Sequence, residues 1–200
     1  MAIKYPNGKQ FTSALEKKKS TINHGSRGMS LENEINQSNQ YYLSRGIAVV
    51  HKKPTPIQIV NVDYPKRSAA IIKEAYFKKA STTDYNGIYL GRYIDFDAKE
   101  TKQLNSFPLN NFHQHQIKHM QQCYDLGGIC FTIIKFTKTD EVYVLNFPDL
   151  FKYWKRKEEN GKKSISKSEI EHNGYKIKYN LNPLIPYLEA VKTIIDHTNI

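Results

Sequence analysis

Cysteine is scarce in this chain: the 200 residues contain two, Cys123 and Cys130, with neither a CxxC spacing nor a paired histidine cluster beside them. That scarcity argues against a disulfide framework or a structural zinc site, and a reducing cytoplasm is the simplest compartment. Long apolar runs are also missing. Nothing approaches the roughly 20 residues that span a bilayer, and the N-terminus has no signal-peptide core. No internal repeat is visible. Acidic residues are the third shortage, since 19 Asp and Glu stand against 30 Lys and Arg and leave a formal charge of +11. Such an excess commonly marks a nucleic acid or an anionic surface as partner, although it also serves solubility alone.

What is present suits one compact domain of roughly 150 ordered residues, with some chain left over for tails or arms. Residues 1–26 carry "EKKKST" and "NHGSRG" with few large apolar side chains, the composition of a flexible basic N-terminal arm. From Ser30, a good N-cap, Leu31, Ile35 and Tyr42 recur at helical spacing. Glu32 and Glu34 fall early, where the helix dipole favours acids, and Gly46 ends the run. "IAVVHK" (47–52) reads as a short buried strand. The following "KKPTPIQIVNVDYPKRS" has prolines near both ends, which makes it an edge or protruding element rather than a central strand. "AAIIKEAYFKKAS" is ambiguous by periodicity; read as a return strand, it makes 53–78 a projecting hairpin-like stalk.

Further on, "NNFHQHQIKHMQQCYDLGG" reads as a helix capped by Asn110 or Asn111, with Phe112, Ile117, Met120 and Tyr124 buried and Gly127 as its stop. "ICFTIIKF" is nearly all apolar and so central to a sheet, and "EVYVLNF" is a further strand. A basic, aromatic stretch, "FKYWKRKEENGKKSISKSEI", leads to a final helix from about Pro186, with Leu188, Val191 and Ile195 on one face. Helices alternating with strands in this order describe a mixed α/β or α+β domain with one central sheet flanked by helices.

The chemistry concentrates in "YIDFDAKETK" (93–102). Strict alternation puts Ile94, Phe96 and Ala98 on one face of a strand, and Asp95, Asp97, Lys99 and Thr101 on the other. Upstream, "STTDYNGIYLGR" supplies a second strand and a two-residue turn at Leu90-Gly91. That turn pairs residues whose numbers sum to 181, which sets Asp84 opposite Asp97 and Thr82 opposite Lys99. A bulge at Gly87 would shift the register. Two carboxylates about 5 Å apart are unfavourable without a cation between them, and a hard divalent ion such as Mg²⁺ is the natural occupant. An ordinary solvated strand face with cross-strand ion pairs is the plainer alternative. Against it stands the completeness of the set: carboxylates to hold metal, and an ammonium to orient water or stabilise a pentacoordinate phosphate.

At these residues the chain resembles the Asp…(Asp/Glu)-x-Lys nuclease superfamily and, within it, the RecU family of Holliday junction resolvases. "YPNGK", "RGMSLE" (27–32), "IAVVHKKPTPIQIVNVDYPKRS" (47–68), "EAYFKKASTTDYNGIY" (74–89), "GRYIDFDAKETK" (91–102) and "FPLNNFHQHQIKHM" (107–120) look like family blocks in family order. The resemblance implies a restriction-endonuclease-like core over 27–200 with a projecting arm. It also implies a homodimeric, Mg²⁺-dependent endonuclease, with Mn²⁺ as a substitute, that nicks four-way DNA junctions symmetrically during recombinational repair and leaves 5′-phosphate ends. Carried over, Thr82, Asp84, Asp97 and Gln116 would form the metal site, and Asp84, Asp97 and Lys99 the catalytic set. Gln116 lies outside the sheet reading and would reach in from the following helix; an ordinary helix-surface amide is its alternative. Lys52, Lys53, Lys66 and Arg67 bracket the stalk and would bind DNA. The resemblance further implies a cytoplasmic, nucleoid-associated protein without a membrane partner, contacts with the RecA recombinase and a branch-migration helicase, and, as the competing reading, a non-catalytic junction-binding or strand-annealing protein. One departure stands out: the family pattern usually has Glu where this chain has Asp97.

Two other groups stay open. His115 and His119 have the i, i+4 spacing of metal ligands, but a third ligand is missing although Cys123 lies one turn on, so DNA or solvent contact is the expectation. Tyr153, Trp154, Lys155 and Arg156 would either contact DNA or, in the case of Trp154, fill the core.

Overall fold

The computed structural model describes residues 29–65, 70–78 and 82–198. The expected arm at 1–26 lies outside these residues, as do Lys66 and Arg67. In chain order the elements are α1 (Leu31–Ser44), β1 (Ala48–Lys52), β2 (Ile57–Asp63), β3 (Ile71–Phe77), β4 (Tyr85–Tyr89), β5 (Arg92–Thr101), β6 (Ser106–Pro108), a 3₁₀ turn (Leu109–Asn111), α2 (Gln114–Asp125), β7 (Ile129–Phe136), β8 (Glu141–Asn146), α3 (Phe147–Glu158), β9 (Ser164–Ser166), α4 (Lys167–Asn173), β10 (Tyr175–Ile177) and α5 (Tyr187–His197). Six strands form one mixed sheet in the order β1-β4-β5-β7-β8-β10. Only β5 and β7 are parallel, and α2 is their crossover. The mixed sheet flanked by helices is the fold class that the sequence order implied.

The period-2 pattern of the central strands divides the core in two. Ile94 and Phe96 of β5, with Phe131 and Ile133 of β7, pack on one face with Leu31, Ile35 and Tyr42 of α1 and Leu188 and Val191 of α5. Cys130, Ile134 and Phe136 of β7 face the other way, onto Ile117 and Met120 of α2 and Leu150 and Trp154 of α3. Tyr85, Phe96 and Phe131 stack across three neighbouring strands with centroids 4.8 and 4.6 Å apart. Each such ring pair adds roughly 0.5–1.5 kcal/mol to the burial of its apolar area. All eight residues of β7 are buried, as its unbroken apolar sequence requires of a central strand.

The β4–β5 hairpin turns at Leu90 and Gly91, both with positive φ (50° and 71°), the backbone of a two-residue turn that matches strand twist. Its register pairs Tyr85 with Phe96 and Tyr89 with Arg92, so every pair sums to 181 as expected. Gly87 causes no bulge. It faces β1 so closely that a Cβ there would lie 2.1 Å from the Val49 carbonyl oxygen, and the missing side chain lets the two strands pair.

Several expectations need correction. β1 is the edge strand of the sheet, with Val49 45% exposed, because only β4 pairs with it. The cap of α2 is His113 rather than Asn110 or Asn111, which lie in the preceding 3₁₀ turn, and Tyr124 is partly exposed. Residues 151–158, read only as part of a basic aromatic stretch, and Phe147, read as the end of a strand, belong to α3 (Phe147–Glu158). Trp154 and Tyr153 are buried in the core, and Arg156 pairs with Glu169 at 2.6 Å. The 57–63 and 71–77 segments do pair, as a two-stranded ribbon separate from the main sheet with nearly every residue exposed.

Candidate active site

The alternation of β5 decides which side chains meet. Asp95, Asp97 and Lys99 point to the α2 side, while Ile94 and Phe96 fill the opposite core. Asp97 is wholly buried, Lys99 is 16% exposed and Asp84 is 39% exposed, so the three make a gradient from interior to solvent. Asp84 sits one residue before β4. Its backbone N–H donates to Asp97 Oδ1 at 3.0 Å. Lys99 Nζ lies 3.3 Å from Asp84 Oδ2 and 3.2 Å from Asp97 Oδ2, between the two carboxylates. The second contact satisfies the distance for an ion pair but not the angles for a hydrogen bond, so buried Asp97 Oδ2 makes no hydrogen bond. Burial raises the Asp97 carboxyl well above the ordinary carboxylate range; the Lys99 ammonium opposes the shift and the neighbouring Asp84 reinforces it.

Gln116 enters from the first turn of α2. Its Oε1 accepts the His113 backbone N–H at 3.0 Å as half of a capping box, which turns the amide nitrogen towards Asp97 Oδ1 at 3.2 Å. The helix start therefore does two things, capping α2 and holding a carboxylate on β5. The Thr132 hydroxyl, one strand over, donates to the Asp97 carbonyl at 3.1 Å and fixes the backbone beneath the site. Thr82 stands two residues ahead of Asp84, outside the strand ladder, whose first pair is Tyr85–Phe96; its hydroxyl donates to the Thr83 carbonyl at 3.3 Å. The expected placement of Thr82 opposite Lys99 thus becomes a loop position beside Asp84.

Asp84 and Lys99 line two adjoining clefts. One, of about 870 Å³, runs along His113, Gln114, His115, Gln116 and Lys118. The other, of about 320 Å³, runs past Ser30, Glu32 and Glu100 at the start of α1. A buried carboxylate with an oxygen lacking hydrogen bonds and a second carboxylate at the cleft wall are oxygen donors suited to a hard divalent cation, and the Lys99 ammonium between them offsets their charge. The residues fit such an ion.

The remaining candidates are scattered. Lys52 pairs with Glu32 of α1 at 2.5 Å. Lys53 is turned inward, only 18% exposed, with its ammonium 2.7 Å from buried Asp95 and 2.8 Å from the Thr83 hydroxyl. His115 stacks on His113 with ring centroids 5.4 Å apart. His119 faces the interior rather than solvent or a DNA surface, with Nε2 3.3 Å from Asp95 and 3.6 Å from Cys123. Sequence spacing could find the His119–Cys123 pair but not Asp95, which lies on another element.

The comparisons with known proteins agree with this geometry. The family model described as "Recombination protein U" matches residues 26–193. A protein of Pediococcus pentosaceus called Holliday junction resolvase RecU is 60% identical, over 98% of this chain and 100% of that protein. Proteins of the same name from Ligilactobacillus salivarius and Bacillus cytotoxicus are 58% and 54% identical, over 98% and 97% of this chain and 99% and 98% of theirs. A family match across most of the chain and relatives above half identity over nearly full length leave one assignment: the chain belongs to the RecU family.

Proposed function

We propose that this protein is a Mg²⁺-dependent endonuclease that resolves four-way DNA junctions by paired, symmetric nicks. The observation that carries the reading is the Asp84–Lys99–Asp97 arrangement: two carboxylates bridged by an ammonium at 3.2–3.3 Å, with Asp84 and Lys99 on the wall of a cleft of about 870 Å³. Full-length relatives named as Holliday junction resolvases supply the substrate.

Asp84 and Asp97 would hold the cation, with Thr82 and Gln116 completing the site. A bound divalent ion supplies Lewis acidity and neutralises charge at the scissile phosphate. Lys99 reaches both carboxylates and so reaches a phosphate oxygen drawn between them, where its ammonium stabilises the charge that builds up on pentacoordinate phosphorus. Gln116 and the Asp84 N–H fix Asp97 Oδ1, which leaves buried Oδ2 beside the Lys99 ammonium without a hydrogen bond.

DNA affinity comes from phosphate contacts by Lys52, Lys66 and Arg67 around the β2–β3 ribbon and by Lys118 in the cleft, while inward-turned Lys53 anchors the base of the ribbon. A homodimer would present two such sites about a two-fold axis that matches the symmetry of the junction. Modulation of a recombinase or a branch-migration helicase would add to this role without replacing it. The test compares a labelled synthetic four-way junction with a duplex of equal length, in Mg²⁺ and in EDTA. Metal-dependent paired nicks in the junction alone support the reading. Binding in both conditions without cutting would make the protein a junction-binding module instead.

A further inference from the structure

Behind the catalytic pair, two residues back along β5, lies a second cluster that junction cleavage does not use. Asp95 is wholly buried, and its Oδ2 lies 2.7 Å from Lys53 Nζ, 2.8 Å from the Tyr93 hydroxyl and 3.3 Å from His119 Nε2. Its Oδ1 accepts a hydrogen bond from Thr83. His119 Nε2 lies 3.6 Å from Cys123 Sγ, one turn further along α2. The ligand atoms of Asp95, His119 and Cys123 all fall within 4.8 Å of one another. Cys130, the ladder partner of Asp95 on β7, is 2% exposed and is not one of these three.

A tetrahedral zinc ion with bonds of about 2.0 Å to oxygen and nitrogen and about 2.3 Å to sulfur sets its ligands roughly 3.3 Å apart for N···O and roughly 3.6 Å apart for N···S. The Asp95–His119 and His119–Cys123 separations are 3.3 and 3.6 Å. We propose that Asp95, His119 and Cys123 form a second metal site, for zinc or another borderline-soft divalent ion, distinct from the Asp84–Asp97 pair and with its fourth position open to water.

Lys53 enters the charge balance. Without metal, Asp95 and Lys53 form a neutral pair beside the neutral Cys123 thiol, and Lys53 Nζ also lies 3.5 Å from His119 Nε2. Binding one divalent cation releases the Cys123 thiol proton, so a +2 ion and the +1 ammonium meet one carboxylate and one thiolate; release of one further proton, from Lys53 or a metal-bound water, keeps the cluster neutral. The ammonium's Thr83 contact lies on the Oδ1 side. An ion pair alone accounts for Lys53 and Asp95, but not for an imidazole and a thiol of α2 converging on the same carboxylate.

Thiolates select zinc over Mg²⁺, and carboxylates without sulfur do the reverse, so the two sites would sort two metals within one domain. The soft site ties α2 to β5, and α2 carries Gln116 while β5 carries Asp97. Its role is therefore to fix the helix that positions the catalytic carboxylate. The proposal stands independently of the cleavage reading.

The test uses the full chain, reduced and stripped with a chelator, then titrated with Co²⁺ as a spectroscopic probe and with Zn²⁺. One equivalent of Co²⁺ should give a thiolate-to-metal charge-transfer band and intense tetrahedral d–d bands, bleached by Zn²⁺ but not by excess Mg²⁺. Cys123→Ser and His119→Gln should each lose these bands and weaken zinc binding more than 100-fold. Cys130→Ser should keep the charge-transfer band, since Cys123 supplies the thiolate. Asp84→Asn should keep all of it. Zinc should raise the melting temperature of the wild type and leave that of Cys123→Ser unchanged, with both metal-free proteins melting cooperatively. A wild-type Co²⁺ spectrum without a thiolate band, or bands that survive in both Cys123→Ser and His119→Gln, would overturn the proposal.

Discussion

The backbone N–H of Asp84 donates to the side chain of Asp97 across the hairpin at 3.0 Å, so one carboxylate is oriented by the residue that supplies the other. This coupling explains how a short aspartate at position 97 is held without slack. Asp97 Oδ1 takes two donors, the Asp84 N–H and the Gln116 amide, and buried Oδ2 is left without a hydrogen bond beside Lys99.

Gln116→Ala removes one of those donors and half of the α2 capping box. The concentration of Mg²⁺ needed for half-maximal cleavage should rise roughly 10- to 100-fold, the usual effect of removing a group that orients a metal ligand. Saturating Mg²⁺ should restore most of the rate. A metal titration identical to that of the wild type would show that Gln116 is only a helix cap.

Asp97→Glu tests the acid that departs from the family pattern. A longer side chain brings its carboxylate nearer the cleft while Lys99 and Asp84 stay in place, so cleavage should be retained or increased, with less preference for Mn²⁺ over Mg²⁺. Rates in the two metals measured side by side check this. A large loss of cleavage in Asp97→Glu would mean that the surrounding pocket is fitted to the shorter acid.

Gly87→Ala should be among the most destabilising single changes at the surface. The added Cβ would meet the Val49 carbonyl oxygen at 2.1 Å and Val50 Cα at 2.8 Å, and both are backbone atoms that cannot rotate away. Overpacking of this kind costs on the order of 3 kcal/mol. In a domain of this size the melting temperature should fall by about 6–12 °C. Thermal unfolding of the variant reads it directly, and a change within a degree would show that β1 can shift without cost.

How much of this was legible beforehand depended on how local the cause was. The Asp84–Asp97 pairing follows from a two-residue turn at Leu90-Gly91 and a period-2 strand, and both signals lie within twenty residues. Gln116 and His119 reach β5 only through the packing of a parallel crossover, which spacing along one helix cannot reveal. Helix α3 was hidden because Lys152, Lys155, Arg156 and Lys157 interrupt the apolar stripe of Phe147, Leu150 and Trp154. The side chains of Lys155, Arg156 and Lys157 lie over the rings of Phe151, Tyr153 and Trp154, with Lys157 Nζ 4.0 Å from the Trp154 centroid, so basic residues cover the core they seemed to deny.

Acid should weaken the helical layer around α4 before pH reaches 2. The Arg156 guanidinium hydrogen-bonded to Glu169 lowers that carboxyl from 4.5 to about 2, and hydrogen bonds from Lys167 and Lys176 lower Glu141 to about 2 as well. A carboxyl depressed in the folded state contributes its stability above the unfolded pKa and loses it as pH falls towards the folded one. Stability from these groups is therefore complete above about pH 4.5 and declines between there and pH 2. Both side chains are partly exposed, Glu141 at 19% and Glu169 at 28%, and solvent screening keeps the loss modest. Glu169→Gln should show a shallower decline of melting temperature over that window, and an unchanged slope would remove Glu169 from the account.

The most direct measurement is single-turnover cleavage of a four-way junction in Mg²⁺ by the wild type and by Lys99→Ala, with junction binding read separately in EDTA. The account predicts a loss of about 100- to 1,000-fold in the cleavage rate of Lys99→Ala, as expected for removing one preorganised stabiliser of transition-state charge, with binding unchanged. Wild-type cleavage by Lys99→Ala would contradict the role assigned to the ammonium between Asp84 and Asp97.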